Sequence, residues 1–232
     1  MASQLRVEPA QEEDLPRLME IVAPAFGPYS YAQLVGDIDT PENRKAMAER
    51  HLHTWREHTK CFKHTPGIKC VHVDPVTQKE AIISSATWTI YDLPRSEEEY
   101  LQPLHLLGAS WIEEGEKREQ AMEMAQSLID GRIRWMGGKP HGVLMFMATD
   151  NACQRMGAAT KVVQWGLDRC RELAIPAYLQ SSAAGVPVYE KLGYEVVDEV
   201  YLDGHPLKVM IWWPPGTKEE EKKPAIPGFG KT

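Results

Sequence analysis

The order of hydrophobic and polar positions along the chain predicts both strands and helices. Residues 143–148 form an apolar run without alternation, too short for a typical helix, which predicts a strand buried on both faces. After it, small and apolar residues recur at the spacing of one face of an amphipathic helix. These positions are Ala159, Val162, Val163, Gly166, Leu167, Cys170 and Ala174. The centre of the chain is therefore predicted to run from a strand through a turn into a helix.

Further elements are predicted on either side of this centre. A helix with Thr40 as its N-cap should begin at Pro41, because a hydroxyl side chain followed by proline is typical of a helix start. Two β-rich segments, residues 68–73 and 81–91, are joined by turn residues and predict a hairpin. The remaining predictions are strands near residues 5–7, 177–181, 194–200 and 207–213, and helices from about residue 12 and over residues 116–134.

The joint between the central strand and its helix, residues 154–159, is polar and rich in small residues. We expect it to form the first turn of the helix, where backbone N–H groups have no intrahelical partner and the positive end of the helix dipole points outward. Small side chains there let a ligand approach the backbone closely, and a phosphate would satisfy several N–H groups at once. The sequence therefore predicts an anion-binding turn.

Two motifs in this part of the chain resemble those of one enzyme family. Gln154-x-x-Gly157-x-Ala159 resembles the Q/R-x-x-G-x-G/A signature of the GCN5-related N-acetyltransferases (GNAT), which holds the pyrophosphate of acetyl coenzyme A. The segment YEKLGY, residues 189–194, is similar to the one that ends the cofactor half in the same family. The resemblance implies the α/β GNAT fold, also called the acyl-CoA N-acyltransferase fold, with a mixed central sheet flanked by helices.

The resemblance also implies roles for residues of this chain. The backbone N–H groups of Arg155 through Thr160 would hold the pyrophosphate, with a further contact from the Arg155 side chain. Tyr189 corresponds to a tyrosine near the thioester sulfur, where a phenol with an ordinary pKa of about 10 stays protonated and can donate to a departing thiolate. Ser182 stands where the family often has asparagine, which puts its contact with pantetheine in doubt. The expected cofactor-binding residues are Met147, Ala148, Thr149, Gln154, Arg155, Met156, Gly157, Ala158, Ala159, Thr160 and Ser182.

Other interpretations of the same residues stay open. The joint could be an ordinary strand-to-helix connection in which Gly157 allows close packing, and Tyr189 could pack a short helix onto the sheet. A dinucleotide fold is disfavoured because its three spaced glycines are absent. No nucleotide P-loop motif occurs in the chain either.

Residues 1–213 are expected to form a single domain, with the cofactor core at about 143–197 and a helical insertion at about 94–141, before the cofactor-binding strand. We expect the insertion to lie over the acceptor end of the cleft. Residues 214–232 combine low hydrophobicity, several prolines and mixed charge, which predicts a flexible C-terminal tail, mobile or bound to the surface. The candidate acceptor-binding residues are Phe26, Tyr29 and Tyr31, for which simple packing of aromatics is an alternative, and Trp111 in the insertion.

Composition narrows the classes of partner. The formal net charge of −7 predicts no nucleic-acid partner and is compatible with a cationic amine substrate. No apolar run approaches the roughly 18 residues that span a bilayer, so no membrane association is expected. Acidic residues near the N-terminus argue against a secretion signal. The four cysteines lie at no metal-ligand spacing, which favours reduced thiols in the cytoplasm and no metal site.

Together these features predict an N-acetyltransferase that moves an acetyl group from acetyl-CoA directly to a primary amine, in a ternary complex. The preferred acceptor is a small-molecule amine, and the N-terminus or a lysine of a protein is the alternative. A catalytically inactive CoA-binding sensor or scaffold is an alternative of another class. The general base stays open. A water relayed by a carboxylate or by His72 could serve, and Asp150 at the strand end is one such carboxylate. Alternatively, the amine binds already neutral. The oligomeric state and the acyl length stay open as well.

Overall fold

The computed structural model describes residues 4–25, 40–61, 67–101, 112–202 and 204–230 of the chain. The strands are β1 (Gln4–Pro9), β2 (Ile68–Val73), β3 (Glu80–Tyr91), β4 (His141–Thr149), β5 (Ala177–Ser181), β6 (Glu195–Leu202) and β7 (His205–Trp212). The helices are α1 (Leu15–Ala25), α2 (Pro41–Cys61), α3 (Glu97–Leu101), α4 (Glu116–Met136), α5 (Ala158–Glu172) and α6 (Val186–Glu190). The elements predicted from the sequence are confirmed, with ends that differ by a few residues.

The seven strands form one sheet in the order β1-β2-β3-β4-β5-β7-β6. Strands β4 and β5 run parallel, through Gly142 opposite Ala177 and Val143 opposite Tyr178. The pairs β1–β2, β2–β3, β5–β7 and β6–β7 are antiparallel. The expected α/β fold, a mixed sheet with flanking helices, is therefore confirmed.

The chain divides into two compact units, and the single domain expected over residues 1–213 stays a prediction. The first unit contains β1, α1, α2, β2 and most of β3, together with the later part of β4 and the start of α5. The second contains the rest of the chain from the end of β3 onward. The boundaries fall inside β3 after Thr89, inside β4 before Leu144 and inside α5 after Gly166.

The first unit is built on the β2–β3 hairpin and two helices. Helix α1 buries Leu18, Ile21 and Val22, and it packs against α2. The start of α2 is as predicted, because the Thr40 hydroxyl accepts the backbone N–H of Asn43 at 3.1 Å. The hairpin turn is also as predicted, since the carboxylate of Asp74 accepts two backbone N–H groups within the turn.

The second unit is built on α4 and the strands β5, β7 and β6. Helix α4 directs Ala125, Ile129 and Ile133 into a hydrophobic cluster. Strand β7 is buried over its last four residues, as expected for a strand between two neighbours. Helices α3 and α4 confirm that the region before β4 carries helices, within the part of residues 94–141 that the structure describes.

Residues 214–230, for which composition predicted a tail either mobile or bound to the surface, pack on α4. Ile226 and Phe229 cover the hydrophobic cluster of α4. The backbone N–H groups of Ala225 and Ile226 donate to carbonyl groups in the last turn of that helix, at 3.3 and 2.9 Å. The segment thus supplies two apolar side chains to the cluster and donors for carbonyl groups at the helix end that have no intrahelical partner. Overall composition reveals neither contact.

Candidate active site

The predicted anion-binding turn lies between β4 and α5, in the first unit. Strand β4 ends at Thr149, and a 3-10 turn over Asn151–Cys153 follows it. Helix α5 begins only at Ala158. Residues 154–157 therefore precede the helix, which corrects the expectation that they form its first turn.

The backbone of this loop explains the late helix start. Arg155 has φ 67° and Gly157 has φ 87°, both in the left-handed region that ends or delays a right-handed helix. A Cβ atom built on Gly157 would meet nothing within 4 Å. Gln154, Arg155, Met156 and Gly157 are all exposed. The loop thus presents an open backbone to solvent, and Gly157 is required by its dihedral angle and not by packing.

The start of α5 supplies free donors beside this loop. The first hydrogen bond of the helix runs from the Lys161 N–H to the carbonyl of Gly157 at 3.2 Å. The N–H groups of Ala158, Ala159 and Thr160 consequently have no intrahelical acceptor, and they lie at the positive end of the helix dipole. Loop and helix start together could cradle a phosphate or diphosphate.

Asp150 connects the start of the loop to α1 and β3. Its carboxylate accepts the Ala152 N–H at 2.9 Å and is paired with the guanidinium of Arg17 in α1. Its own N–H donates to the carbonyl of Ile83 at 2.8 Å. The Ala152 N–H and the Arg17 guanidinium hold the pKa of this carboxyl below its usual range. Asp150 is therefore a poor proton acceptor, and its role is structural.

The end of β4 is held against β3. The Ser84 hydroxyl donates to the carbonyl of Ala148 at 2.7 Å and lies 2.9 Å from the Thr149 hydroxyl. Ala148 is buried, while Met147 and Thr149 are half-buried. The three residues expected to line a pantetheine arm thus lie directly before the loop, on a strand whose position is fixed by β3.

Helix α5, which follows the loop, also packs closely against β3. The indole of Trp88 in β3 donates through Nε1 to the Val162 carbonyl at 3.2 Å. A Cβ atom on Gly166 would lie 2.1 Å from the indole ring, so only glycine lets the helix pack this closely. The N-terminus of α5 is therefore held by β3 as well.

Tyr189 and Ser182 lie in the second unit. Tyr189, on α6, is buried with 6% of its surface exposed, and its ring packs edge-on against that of Tyr194 at 5.8 Å. Burial raises the pKa of the Tyr189 phenol well above its ordinary value, so the hydroxyl is protonated at neutral pH. Ser182 follows β5 directly and is exposed.

The structure gathers the residues from Met147 to Thr160 in the first unit. The four candidate acceptor-binding residues, Phe26, Tyr29, Tyr31 and Trp111, lie outside the described residues. Sequence patterns missed the two residues that hold the loop and its strand, Arg17 and Ser84. Arg17 stands 133 positions before Asp150, and no local spacing signals that pairing.

The described residues also bear on metal binding and on membrane insertion. No group of three or more His, Cys, Asp or Glu side chains there could hold a metal ion. None of the helices in the same ranges has both the length and the apolar character needed to cross a membrane.

A mixed sheet with flanking helices, and an open loop before the helix that follows its fourth strand, agrees with the GNAT fold expected from the sequence. The model of the acetyltransferase (GNAT) family matches residues 73–194, just over half of the chain. The chain belongs to this family, and it is an acyltransferase. The family generally uses acetyl-CoA.

Individual relatives agree with this assignment. A probable acyltransferase, SID5, from Ajellomyces capsulatus is 33% identical over 57 residues, which cover 25% of this chain and 42% of that protein. A structure described as histone acetyltransferase HPA2 and related acetyltransferase, from Corynebacterium glutamicum, is 18% identical, with a TM-score of 0.55. The match covers 94% of this chain and 99% of that chain. The structure of a mutant of agmatine N-acetyltransferase in its apo form is 12% identical, with a TM-score of 0.54. The match covers 89% of this chain and 98% of that chain. At these identities the two structures show the fold alone.

Proposed function

We propose that this protein transfers an acetyl group from acetyl-CoA to a primary amine, directly and in a ternary complex. The observation that carries the proposal is the open loop at residues 154–157, with two left-handed residues, in front of the free N–H groups of α5. Outward N–H groups at the positive end of a helix dipole favour binding of an anion such as a diphosphate, which supports the proposal. The loop also stands in the position of the family signature.

The cofactor would be held by the backbone more than by side chains. The N–H groups from Arg155 to Thr160 would bind the pyrophosphate, and the exposed Arg155 guanidinium would add a charge-assisted contact. Gln154, also expected to bind the cofactor, donates from its side-chain amide to the side-chain oxygen of Asn151 at 2.9 Å. Met147, Ala148 and Thr149 would lie along the pantetheine arm, as the family resemblance implies.

The reaction needs an uncharged amine and a proton for the leaving thiolate. The amine nitrogen attacks the thioester carbonyl carbon, the C–S bond breaks, and the thiolate takes a proton to become coenzyme A. We assign this proton to the Tyr189 phenol, which burial keeps protonated. The amine loses its own proton to a base other than Asp150, since that carboxylate is committed to Arg17 and has a lowered pKa.

A small-molecule amine is the proposed acceptor. The net charge of −7 favours a cation over an acidic substrate, and agmatine N-acetyltransferase shares the fold. The alternative is an amine of a protein, which the fold shared with histone acetyltransferase HPA2 supports to a similar degree. The proposed location is the cytoplasm, where the free thiols of Cys70, Cys153 and Cys170 stay reduced.

The test measures turnover and binding separately. Release of free thiol from acetyl-CoA is followed with a panel of polyamines, arylalkylamines and peptides that carry a free N-terminus or a lysine. Thermal stabilisation by coenzyme A is measured in parallel. Thiol release with a small amine supports the proposal, and release with peptides alone selects the protein acceptor. Stabilisation without turnover across the panel would identify a CoA-binding sensor instead.

A further inference from the structure

We propose that the second unit contains a binding site for a small oxyanion, a carboxylate or a phosphate, formed by Arg95, Arg132 and His141 around the ring of Tyr91. This site is separate in the chain from the cradle before α5, and the inference does not depend on the proposed acetyl transfer. Its basis is a cluster of basic side chains for which the described part of the chain provides no acidic partner.

The four side chains converge from β3, α4, β4 and the segment between β3 and α3. The Arg95 guanidinium carbon lies 3.7 Å from the centre of the Tyr91 ring, and that of Arg132 lies 5.6 Å from it. Arg132, on α4, donates to the Tyr91 hydroxyl at 3.3 Å. The imidazole of His141, at the start of β4, lies 5.0 Å from the same ring. Two fixed positive charges and one titratable ring therefore surround a single aromatic side chain.

This cluster is largely removed from water. Arg132 is 4% exposed, His141 is fully buried and Arg95 is half-buried. Burial of like charges is unfavourable unless an opposite charge compensates for it. Arg132 and Arg95 each lower the pKa of His141, in addition to the larger effect of burial, so both guanidinium groups act on this ring.

The described residues offer no carboxylate to balance these charges. Over residues 4–25, 40–61, 67–101, 112–202 and 204–230, neither Arg95 nor Arg132 takes part in an ion pair. Glu99 is the acidic residue whose charge acts on Arg95, but its carboxylate accepts the backbone N–H of Ser96 at 2.7 Å and it is exposed. Arg134 on the same helix differs, because it is paired with Asp198 at 3.0 Å.

Two buried nitrogen atoms of the cluster also lack a partner among the described residues. They are Nε of Arg95 and Nε2 of His141. Nδ1 of His141 lies 2.6 Å from the Lys139 carbonyl and donates to it, which leaves a lone pair on Nε2 of the neutral ring. An oxyanion would accept from Arg95 and Arg132, and protonation of Nε2 would add a third donor. The planar fork of a guanidinium suits two oxygen atoms of one carboxylate or phosphate.

The direct test uses His141 as a local probe in the full chain. Its imidazole resonances are followed by NMR while acetate and inorganic phosphate are added in separate titrations, with coenzyme A present at saturation to fill the other cradle. Ionic strength is kept constant with sodium chloride. A saturable shift with either oxyanion, and a higher pKa of His141 in its presence, are expected. The acetate and phosphate titrations then distinguish a carboxylate ligand from a phosphate ligand.

Substitution tests whether the arginines form the site. Arg132→Gln should weaken binding of the responding oxyanion by about tenfold or more, because a charge-assisted hydrogen bond is lost. Arg169→Gln, at an exposed arginine of α5, is the control for net charge and should leave binding of the oxyanion unchanged. Where Arg132→Gln does not fold, Arg95→Lys provides the second variant, since it keeps the charge but removes the Nε–H donor, and it should weaken binding similarly.

The proposal is overturned if neither oxyanion shifts the His141 resonances saturably, or if chloride alone produces the same shift. It is also overturned if the variant that folds binds as tightly as the unmodified protein. Failure of coenzyme A to bind would contradict the proposed acetyl transfer, yet the His141 titration would still test this site.

Discussion

The left-handed glycine of the loop offers the sharpest test of the cofactor cradle. Gly157→Ala places a Cβ atom in open space, so packing is unaffected, but it forces a side chain into φ 87° and onto the surface that a diphosphate would approach. We expect the dissociation constant for coenzyme A to rise about ten- to a hundredfold, measured by isothermal titration calorimetry, because one or two charge-assisted N–H contacts are displaced.

Gly216 provides a matched control for this substitution. It has φ 90°, and a Cβ atom there also meets nothing within 4 Å. Gly157→Ala and Gly216→Ala should therefore both lower the free energy of unfolding by about 1 kcal/mol from backbone strain alone. Equal coenzyme A affinity in the two variants would contradict a cradle at Gly157.

Removal of one hydroxyl tests the assignment of Tyr189. Tyr189→Phe keeps the buried ring but removes the proton donor, so turnover should fall roughly ten- to a thousandfold while coenzyme A affinity changes little. Steady-state rates with the best amine of the panel, together with calorimetric binding, check this. Tyr194→Phe is the control, because its hydroxyl is buried without a partner among the described residues and its loss should not reduce the rate. An unchanged rate in Tyr189→Phe would remove this residue from the mechanism.

The Asp150 carboxylate should stabilise the folded protein at neutral pH and lose this contribution at acidic pH. Because its pKa is lowered in the folded protein, its contribution is fully present above the unfolded value of about 3.9 and is lost as the pH falls through the folded value. Asp150→Asn should lower the free energy of unfolding by about 1 kcal/mol at pH 7, since Arg17 is partly exposed and solvent screens the pair. In urea titrations this difference should shrink below about pH 4.

Glu20 supplies the control for that experiment. It pairs with the same arginine at 3.1 Å but is 59% exposed, so Glu20→Gln should change stability by less than about 0.5 kcal/mol. A constant difference between Asp150→Asn and the unmodified protein from pH 7 to pH 3 would show that the carboxylate charge is not responsible.

At the scale of elements, the close packing of α5 on β3 decides where the cradle lies. Gly166→Ala would normally stabilise a helix by about 1 kcal/mol. Here the new Cβ atom would lie 2.1 Å from the Trp88 indole, so we expect a net loss of about 1–3 kcal/mol in urea unfolding. The loss should be smaller in a Trp88→Phe background, which removes part of the ring. A stabilising Gly166→Ala would show that the helix does not pack at this distance.

The same elements show what sequence patterns could and could not predict. Apolar periodicity placed β4, α5 and β5 to within a few residues, because burial of their side chains depends on local spacing. The start of α5 was placed too early, because periodicity carries no information on the left-handed backbone of Arg155. The contacts of Asp150 with Arg17, and the basic cluster around Tyr91, join distant parts of the chain and leave no local signal.

For the whole molecule, the C-terminal segment is part of the folded core of the second unit. The last four carbonyl groups of α4, those of Ile133, Arg134, Trp135 and Met136, accept N–H groups from Gly137, Ile226, Ala225 and Lys139 respectively. Two of these four acceptors are thus satisfied from a segment that follows β7. The Arg134 guanidinium adds a third contact, since it donates to the carbonyl of Phe229 at 3.0 Å. Composition predicted a tail either mobile or bound to the surface and could not decide between the two, because Ile226 and Phe229 are only two apolar residues among charged residues and prolines.

Stability should therefore depend on an aromatic residue only a few positions from the C-terminus. Phe229→Ala removes a half-buried ring from the cluster of Ala125, Ile129 and Ile133, and we expect the free energy of unfolding to fall by about 1–3 kcal/mol in urea. Val76→Ala is the control, because that side chain is 85% exposed and its truncation should change stability by less than about 0.5 kcal/mol.

Removal of all residues after Trp213 should destabilise the protein more than Phe229→Ala does, since it also leaves the carbonyl groups of Arg134 and Trp135 without their protein donors. If the shortened chain unfolded at the same urea concentration as the full chain, the segment would contribute nothing to the core, and the mobile alternative of the predicted tail would be the better description.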